Sequence, residues 1–145
     1  MPRSASTIDG LKELVEVLLR RRDELYSIAK LLTDQDQMLI CRRIADQLGG
    51  HAADLLQVIA ASGGRAGTSD EPSKLESRRD AAVTQGHLAL ATAAEFESEL
   101  RARYDQVIEC ITDREIEGLL CKQRDEVEFC GCVLRSLSAV NQGQA

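Results

Sequence analysis

Residues 116–137, IEGLLCKQRDEVEFCGCVLRSL, decide the fold that we expect for this chain. Apolar or small side chains recur there at alternating steps of four and three residues. That average of about 3.5 keeps one face of a helix turned toward neighbouring helices over several turns. The members of this face are Ile116, Leu120, Gln123, Val127, Cys130, Leu134 and Leu137, and Gln123 alone interrupts it. The stretch therefore predicts a long helix that packs inside a helical bundle.

Three further stretches repeat this spacing, so the sequence predicts an all-α, antiparallel four-helix bundle formed by a single domain, 1–145. The predicted helices span residues 8–32, 36–61, 87–111 and 114–140. The turns at Thr33–Asp34 and Thr112–Asp113 are short, and short connections fold a helix back against the one before it. The first two helices and the last two helices should each form a hairpin.

The connection between the second and third helices is much longer than the two to eight residues that a simple bundle needs. Pro72 indicates the start of a short extra helix within it, at 73–85. A helix of about 25 residues is about 37 Å long, so such a connection can run the length of the bundle. This is the long crossover of ferritin-like folds. One bent helix from 75 to 111 is the alternative.

Several local sequences carry a family resemblance: Leu11 with Leu14, Glu24-Leu25-Tyr26 before Ala29, the Thr33–Asp34 turn, Ala52-Ala53-Asp54-Leu55 before Gly63-Gly64, and the region around Tyr104. Together they resemble a bacterial family of ferritin-like four-helix domains whose function is not established. The resemblance covers about residues 8–140 and implies a ferritin-like bundle, but it implies no catalytic residues. The chain departs from the family's pattern at Gly49-Gly50-His51 and at Cys130-Gly131-Cys132.

Composition and charge exclude some classes of partner. The formal net charge of −6 argues against nucleic acid, which requires a basic surface. The sequence has no apolar run of the roughly 18–20 residues that a membrane span needs. The first residues lack the apolar core of a signal peptide. We therefore expect a cytoplasmic protein that binds neither nucleic acid nor membrane.

A ferritin-like fold raises the possibility of a di-metal centre. That chemistry needs a Glu on each of two helices and a Glu-x-x-His motif on each of the other two. Leu48 precedes His51 by three residues and Thr84 precedes His87, so neither motif is present. We therefore expect no di-iron site and no cofactor. The weak candidate ligands that remain are His51, Asp54, Glu95, Glu99 and Glu126.

His51 borders the apolar face of the second helix and has three interpretations. The simplest is a partly buried, hydrogen-bonded histidine. A second is a phosphotransfer histidine, although Asp54 nearby would repel a phosphoryl group. A third is a weak metal ligand that acts together with Asp54, because residues three apart lie on the same side of a helix.

Arg22 and Gln123 interrupt faces that are otherwise apolar, and Glu97 is a third candidate of this kind. We expect Arg22 and Gln123 to be buried. A buried charge has to be paired, so Arg22 should meet a carboxylate in or near the core. We interpret this pairing as structural, fixing the register of the helices.

The sequence contains no nucleophile–base pair and no phosphate-binding loop, so we expect no enzyme. The preferred function is an interaction or scaffold domain that binds itself or another protein through an exposed apolar helix face. Candidates for that face are Leu19, Ile40, Leu90 and Val133. The alternatives are a degenerate metal-binding or redox bundle, which would use the acids or exposed thiols, and a phosphotransfer domain.

Overall fold

The computed structural model of the chain describes residues 5–62 and 86–143. These residues form four helices and no strand, as the spacing of the apolar residues predicted. The helices are α1 (Ala5–Leu31), α2 (Gln35–Ala61), α3 (Gly86–Cys110) and α4 (Arg114–Gly143). None of the four combines the length and the apolar composition that crossing a membrane requires. The short helix predicted at 73–85 lies outside the described residues, as does part of the alternative bent helix.

Two aspartates begin helices in the same way after a short turn. The side chain of Asp34 accepts hydrogen bonds from the backbone N–H groups two and three residues ahead, at 2.8 and 3.2 Å. Asp113 does the same at the start of α4, at 2.9 and 3.3 Å. Leu32 and Ile111, two residues before each aspartate, are buried. Each turn thus holds an N-cap worth about 1 kcal/mol and an apolar anchor.

Contacts between α1 and α2 explain one of the two glycines in the middle of α2. The Tyr26 hydroxyl donates a hydrogen bond to the carboxylate of Asp46. One turn further along α2, a Cβ at Gly49 would lie only 3.2 Å from Cδ of Arg22, so the missing side chain permits a close approach. Gly50 faces open space.

The other helix pairs differ in how closely they pack. α3 and α4 pack along much of their length and are joined at the surface by Arg101–Glu128 and Arg124–Asp105, at 3.0 and 2.9 Å. α1 packs against α3 less extensively, and the contact between α2 and α4 is smaller still. The packed core is therefore built mainly from the hairpins α1–α2 and α3–α4.

The core consists of the inner faces of the four helices. On α4, six of the seven predicted positions are buried, Ile116, Leu120, Gln123, Val127, Cys130 and Leu134, whereas Leu137 is half-buried. Burying a leucine or isoleucine completely contributes about 1.5–3 kcal/mol. The largest fully buried side chains are Tyr104, Leu11, Leu14, Leu18, Leu25, Leu48, Leu55, Ile59, Leu90, Leu100, Leu120 and Leu134.

Leu90 corrects one prediction. The sequence places it on an exposed apolar face, but the structure buries it completely. Its position follows from α3, whose inner face runs through Leu90, Ala94, Glu97 and Tyr104 at steps of three, four and seven residues. Leu90 is therefore a core residue and cannot contribute to a surface for binding a partner.

The position of Arg22 contradicts a second prediction. The sequence predicts it to be buried, but 35% of its side chain is exposed and it pairs with neighbouring Asp23 at 3.0 Å. Arg21 is the more buried arginine, with 14% of its side chain exposed. Both residues lie one helical turn from Leu18 or Leu25, so spacing alone does not distinguish them. The structure turns Arg21 toward α3 and Arg22 toward α2.

Candidate functional site

Polar side chains from all four helices lie in and beside the otherwise apolar core, from the fully buried Tyr104 to the exposed Gln47. Because burying a polar group is costly unless it is bonded, the contacts of these side chains decide what they do. This central polar cluster consists of Arg21 and Glu24 from α1, Gln47 and His51 from α2, Glu97 and Tyr104 from α3, and Gln123, Glu126 and Cys130 from α4.

Gln123 links three helices. Its Oε1 accepts a hydrogen bond of 2.8 Å from the hydroxyl of Tyr104 on α3, and its Nε2 donates to the backbone carbonyl of His51 on α2 at 3.4 Å. Gln123 is 2% exposed and Tyr104 is fully buried, and burial raises the pKa of Tyr104 well above its ordinary value. The one polar residue of the predicted α4 face is thus buried and bonded.

His51 and Glu126 form a contact between α2 and α4. His51 Nε2 lies 3.1 Å from Glu126 Oε2, with 9% of the His51 side chain and 36% of the Glu126 side chain exposed. Nε2 makes no hydrogen bond among the described residues, so the two atoms are close without a directional bond, and they form an ion pair only when His51 is protonated. Burial lowers the pKa of His51, and Glu126 and Asp54 partly oppose that shift. The imidazole is therefore held mainly in its neutral form.

Gln47 extends the same contact along α2. Its Nε2 donates to Glu126 Oε2 at 3.1 Å, and its Oε1 accepts from the Cys130 thiol at 3.3 Å. Burial, followed by the nearby carboxyls of Glu97 and Glu126, raises the pKa of Cys130 to about 12. A thiol of that pKa stays protonated and unreactive at neutral pH. Cys130 is therefore a hydrogen-bond donor in the core, whereas Cys132 is exposed.

Arg21 provides the positive charge of the cluster. Its Nη1 lies 2.6 Å from Glu24 Oε2, and its guanidinium stacks over the Phe96 ring, 3.7 Å from the centroid. A second nitrogen, Nη2, lies 4.0 Å from the exposed carboxylate of Glu99. Arg21 thus joins α1 to α3 through both an ion pair and an aromatic ring.

Glu97 is the most deeply buried acid of the cluster, at 2% exposure. Its Oε2 has no hydrogen-bond partner within the described ranges. Burial raises the pKa of Glu97 to about 7, with Arg21 lowering it and Glu24 raising it. On α4, a Cβ added to Gly131 would lie 3.3 Å from the Glu97 Cβ, so this glycine makes room for the acid.

The structure brings together two of the five candidate metal ligands, His51 and Glu126. Asp54, Glu95 and Glu99 are exposed, and Asp54 affects His51 only through its charge. In residues 5–62 and 86–143, no group of three His, Cys, Asp or Glu side chains could hold a metal ion.

Sequence reasoning missed Arg21 and Gln47 as members of the cluster. Arg21 stands in a run of three arginines, and nothing in the sequence marks which of them faces inward. Gln47 lies beside the apolar face of α2, at a position that is polar in most surface helices. Pairing Gln47 with Glu126 requires knowing which sides of α2 and α4 meet, and spacing along one helix does not supply that.

Comparison with known proteins adds no relative from which a role could be read. No protein-family model matches the chain, and no curated protein sequence matches it. What the chain does is therefore inferred from the geometry of its own residues.

Proposed function

We propose that this chain is a ferritin-like bundle in which each pair of packed helices is antiparallel. The order of the contacting residues supports this arrangement. Along α1 and α2, Tyr26 contacts Asp46 while the earlier Arg22 contacts the later Gly49. If α1 is antiparallel to both α2 and α3, then α2 and α3 run in the same direction. The chain between them then joins opposite ends of the bundle, as in the one-crossover topology.

The remaining contacts follow the same inverse order. Arg101 of α3 pairs with Glu128 of α4, and the later Asp105 pairs with the earlier Arg124. For α1 and α3, the early Gly10 lies near the late Val107. Four helices packed in this way fit the ferritin-like resemblance of the sequence.

For function, we propose an interaction or scaffold domain that associates with a second copy through the α2–α4 side. The observation that carries this proposal is Phe129, which lies on the outside of α4 with 70% of its surface exposed. An aromatic ring buries a large apolar area when it is covered, and aromatic residues are enriched at protein interfaces. Phe129 is an anchor of the kind that interfaces use.

Half-buried apolar residues extend this surface. Ile40 on α2 and Val133 and Leu137 on α4 pack against the core while remaining partly exposed. Val133 lies one turn after Phe129, and Ile40 lies two turns before Gln47, which faces α4. We call Ile40, Phe129, Val133 and Leu137 the α2–α4 strip. It contains two of the four residues that the sequence predicts for a binding face, Ile40 and Val133.

The central polar cluster supports a structural role for the interior. Its members bond to one another across helices, as Gln123 does with Tyr104 and His51. Polar contacts of this kind fix the register of packed helices, which apolar contacts alone leave less defined. The interior therefore holds the helices in place, and we assign the binding of a second copy to the surface.

Photocrosslinking tests where association occurs. Phe129 is replaced by benzoylphenylalanine, the protein is irradiated, and the products are separated by denaturing mass spectrometry. A product of twice the chain mass is expected. The same replacement at Leu39, which is 51% exposed on α2 and outside the α2–α4 strip, serves as the control and should give little of it. Equal yields at both positions, or none at Phe129, would contradict the proposed surface.

Weak metal binding is the second candidate, and the contact between His51 and Glu126 favours it. An imidazole nitrogen and a carboxylate oxygen from different helices lie 3.1 Å apart, and both are common ligands. Metal analysis of protein purified without chelator tests this candidate, with His51→Gln as the control. A metal bound stoichiometrically by the wild type and lost in the variant would favour it. Phosphotransfer fits less well, because a phosphorylated histidine has to be accessible and His51 is buried.

A further inference from the structure

The carboxyl group of Glu97 is buried where α3 meets α1 and α4. The residue is 2% exposed, and its Oε2 has no hydrogen-bond partner among the residues that the structure describes. None of the described arginine, lysine or histidine nitrogens pairs with it within 4 Å, although the neighbouring Glu99 and Glu24 both have such a contact. An ionised carboxylate is very costly to bury without a partner, and such groups take up a proton instead.

The nearest positive charge is already engaged elsewhere. Arg21 lowers the pKa of Glu97, but its Nη1 is bound to Glu24 at 2.6 Å and its plane lies on the Phe96 ring. The Nε of Arg21 has no hydrogen-bond partner among the described residues, yet no nitrogen of Arg21 pairs with a Glu97 oxygen within 4 Å. The existing geometry therefore favours the neutral acid.

Titratable and charged groups of the neighbouring helices lie in the region of this carboxyl. Arg21 compensates it in part, whereas the acids near it oppose its ionisation. The titratable groups of this region are Arg21 and Glu24 from α1, His51 from α2, Tyr104 from α3 itself, and Glu126 and Cys130 from α4. Arg101, Glu128 and Arg135 line the cavity beside Glu97.

We propose that Glu97 is a buried proton-binding site, protonated in the closed bundle, and that loss of this proton loosens the packing of α3 against α4. The cavity supplies the route. It has a volume of about 120 Å³ and lies between α3 and α4, lined in part by Glu97, Val127 and Gly131. Water that enters this cavity can hydrate the ionised carboxylate, because Glu97 is one of the residues that line it.

The burial of Glu97 determines the pH at which its carboxyl loses the proton. Desolvation raises the pKa of Glu97 from its ordinary value of 4.5 to about 7. A carboxyl whose pKa is raised by folding contributes stability that is present below its unfolded pKa and is lost as pH rises through its folded pKa. The bundle should therefore be tighter at pH 5 than at pH 8, and the change should centre near neutral pH.

Urea unfolding between pH 5 and pH 8 tests the energetic half of the proposal. The comparison is between the wild type and Glu97→Gln, which keeps the shape but cannot ionise. The unfolding equilibrium constant of the wild type, relative to that of the variant, should rise by up to about a hundredfold across this range. Glu99→Gln, on the exposed side of the same helix, should leave the wild-type pH dependence unchanged. A constant ratio between wild type and Glu97→Gln would overturn the proposal.

Two measurements keep the proposal testable if Glu97→Gln does not fold. In the wild type, a carbon-13 NMR titration of the glutamate carboxyls should show one group, assigned to Glu97, that titrates near pH 7; titration near 4.5 would refute it. Backbone hydrogen exchange, corrected for the intrinsic pH effect, should show lower protection of α3 and α4 at pH 8 than at pH 6. Equal protection at the two pH values would refute the proposal that α3 packs more loosely against α4 when Glu97 loses its proton.

Discussion

His51 of α2 and Glu126 of α4 place Nε2 and Oε2 3.1 Å apart, where α2 and α4 pack over a much smaller contact than either hairpin has. Gln47 and the backbone carbonyl of His51 add hydrogen bonds at the same place. Polar contacts thus join α2 and α4 on this side of the bundle. The hydrogen bonds of Gln47 and Gln123 are directional, so they define one register of α2 against α4.

Tyr104→Phe should destabilise the fold by about 1–3 kcal/mol, because the change leaves Gln123 Oε1 buried without its donor. Urea denaturation monitored by circular dichroism measures the effect. Tyr26→Phe removes the same hydroxyl from an exposed contact with Asp46 and should cost less. Equal costs for the two variants would show that the hydrogen bond between Tyr104 and Gln123 has no special importance.

His51→Gln should remove part of the acid sensitivity of the fold. Burial lowers the pKa of His51 in the folded state, so the unfolded chain binds this proton first as pH falls. The stability that neutral His51 contributes is present above pH 6.5 and is lost as pH falls through its folded pKa. The stability of the wild type relative to the variant should therefore fall between pH 7.5 and pH 5. If the difference is independent of pH, His51 titrates equally in both states.

Gly131→Ala and Gly118→Ala should have opposite effects although both lie in α4. A methyl at position 131 meets the Glu97 Cβ at 3.3 Å, and overpacking of this kind costs about 1–3 kcal/mol. Position 118 is open, so alanine there should stabilise the helix by up to about 1 kcal/mol. Thermal unfolding compares the two variants. A stabilised Gly131→Ala would mean that α3 and α4 do not approach closely.

Arg21→Met should destabilise the fold by more than about 1 kcal/mol, because it leaves Glu24 without its partner and removes the stacking on Phe96. Arg22→Met should change stability by less than about 0.5 kcal/mol, since Arg22 is partly exposed and its pair with Asp23 lies at the surface. The denaturant midpoints of the two variants, compared with that of the wild type, measure these two effects. The opposite order would place Arg22, as the sequence predicts, inside the core.

The helices could be predicted from the sequence because their determinants are local. Apolar residues recur every three or four positions, and Asp34 and Asp113 cap the helices after the short turns. The residues of the core could be predicted for the same reason, and they include the buried Gln123. Leu90 was misplaced because its face of α3 includes small and charged residues, which weaken the apolar pattern.

The candidate site was predicted only in part, because it depends on how helices face one another. His51 and Glu126 were each recognised as candidates, but their contact depends on the register of α2 against α4. Arg21 and Arg22 are neighbours in sequence, and only packing decides which one turns inward. Phe129 lies outside the apolar face of α4, so its exposure gave no periodic signal.

Sedimentation equilibrium of the wild type and Phe129→Ser tests the central claim most directly. The wild type should have a mass close to twice 15.9 kDa at micromolar concentrations, and Phe129→Ser should sediment as a monomer with its helical content unchanged. Leu39→Ser should behave like the wild type. A wild type that remains monomeric at every concentration would contradict self-association through the α2–α4 strip.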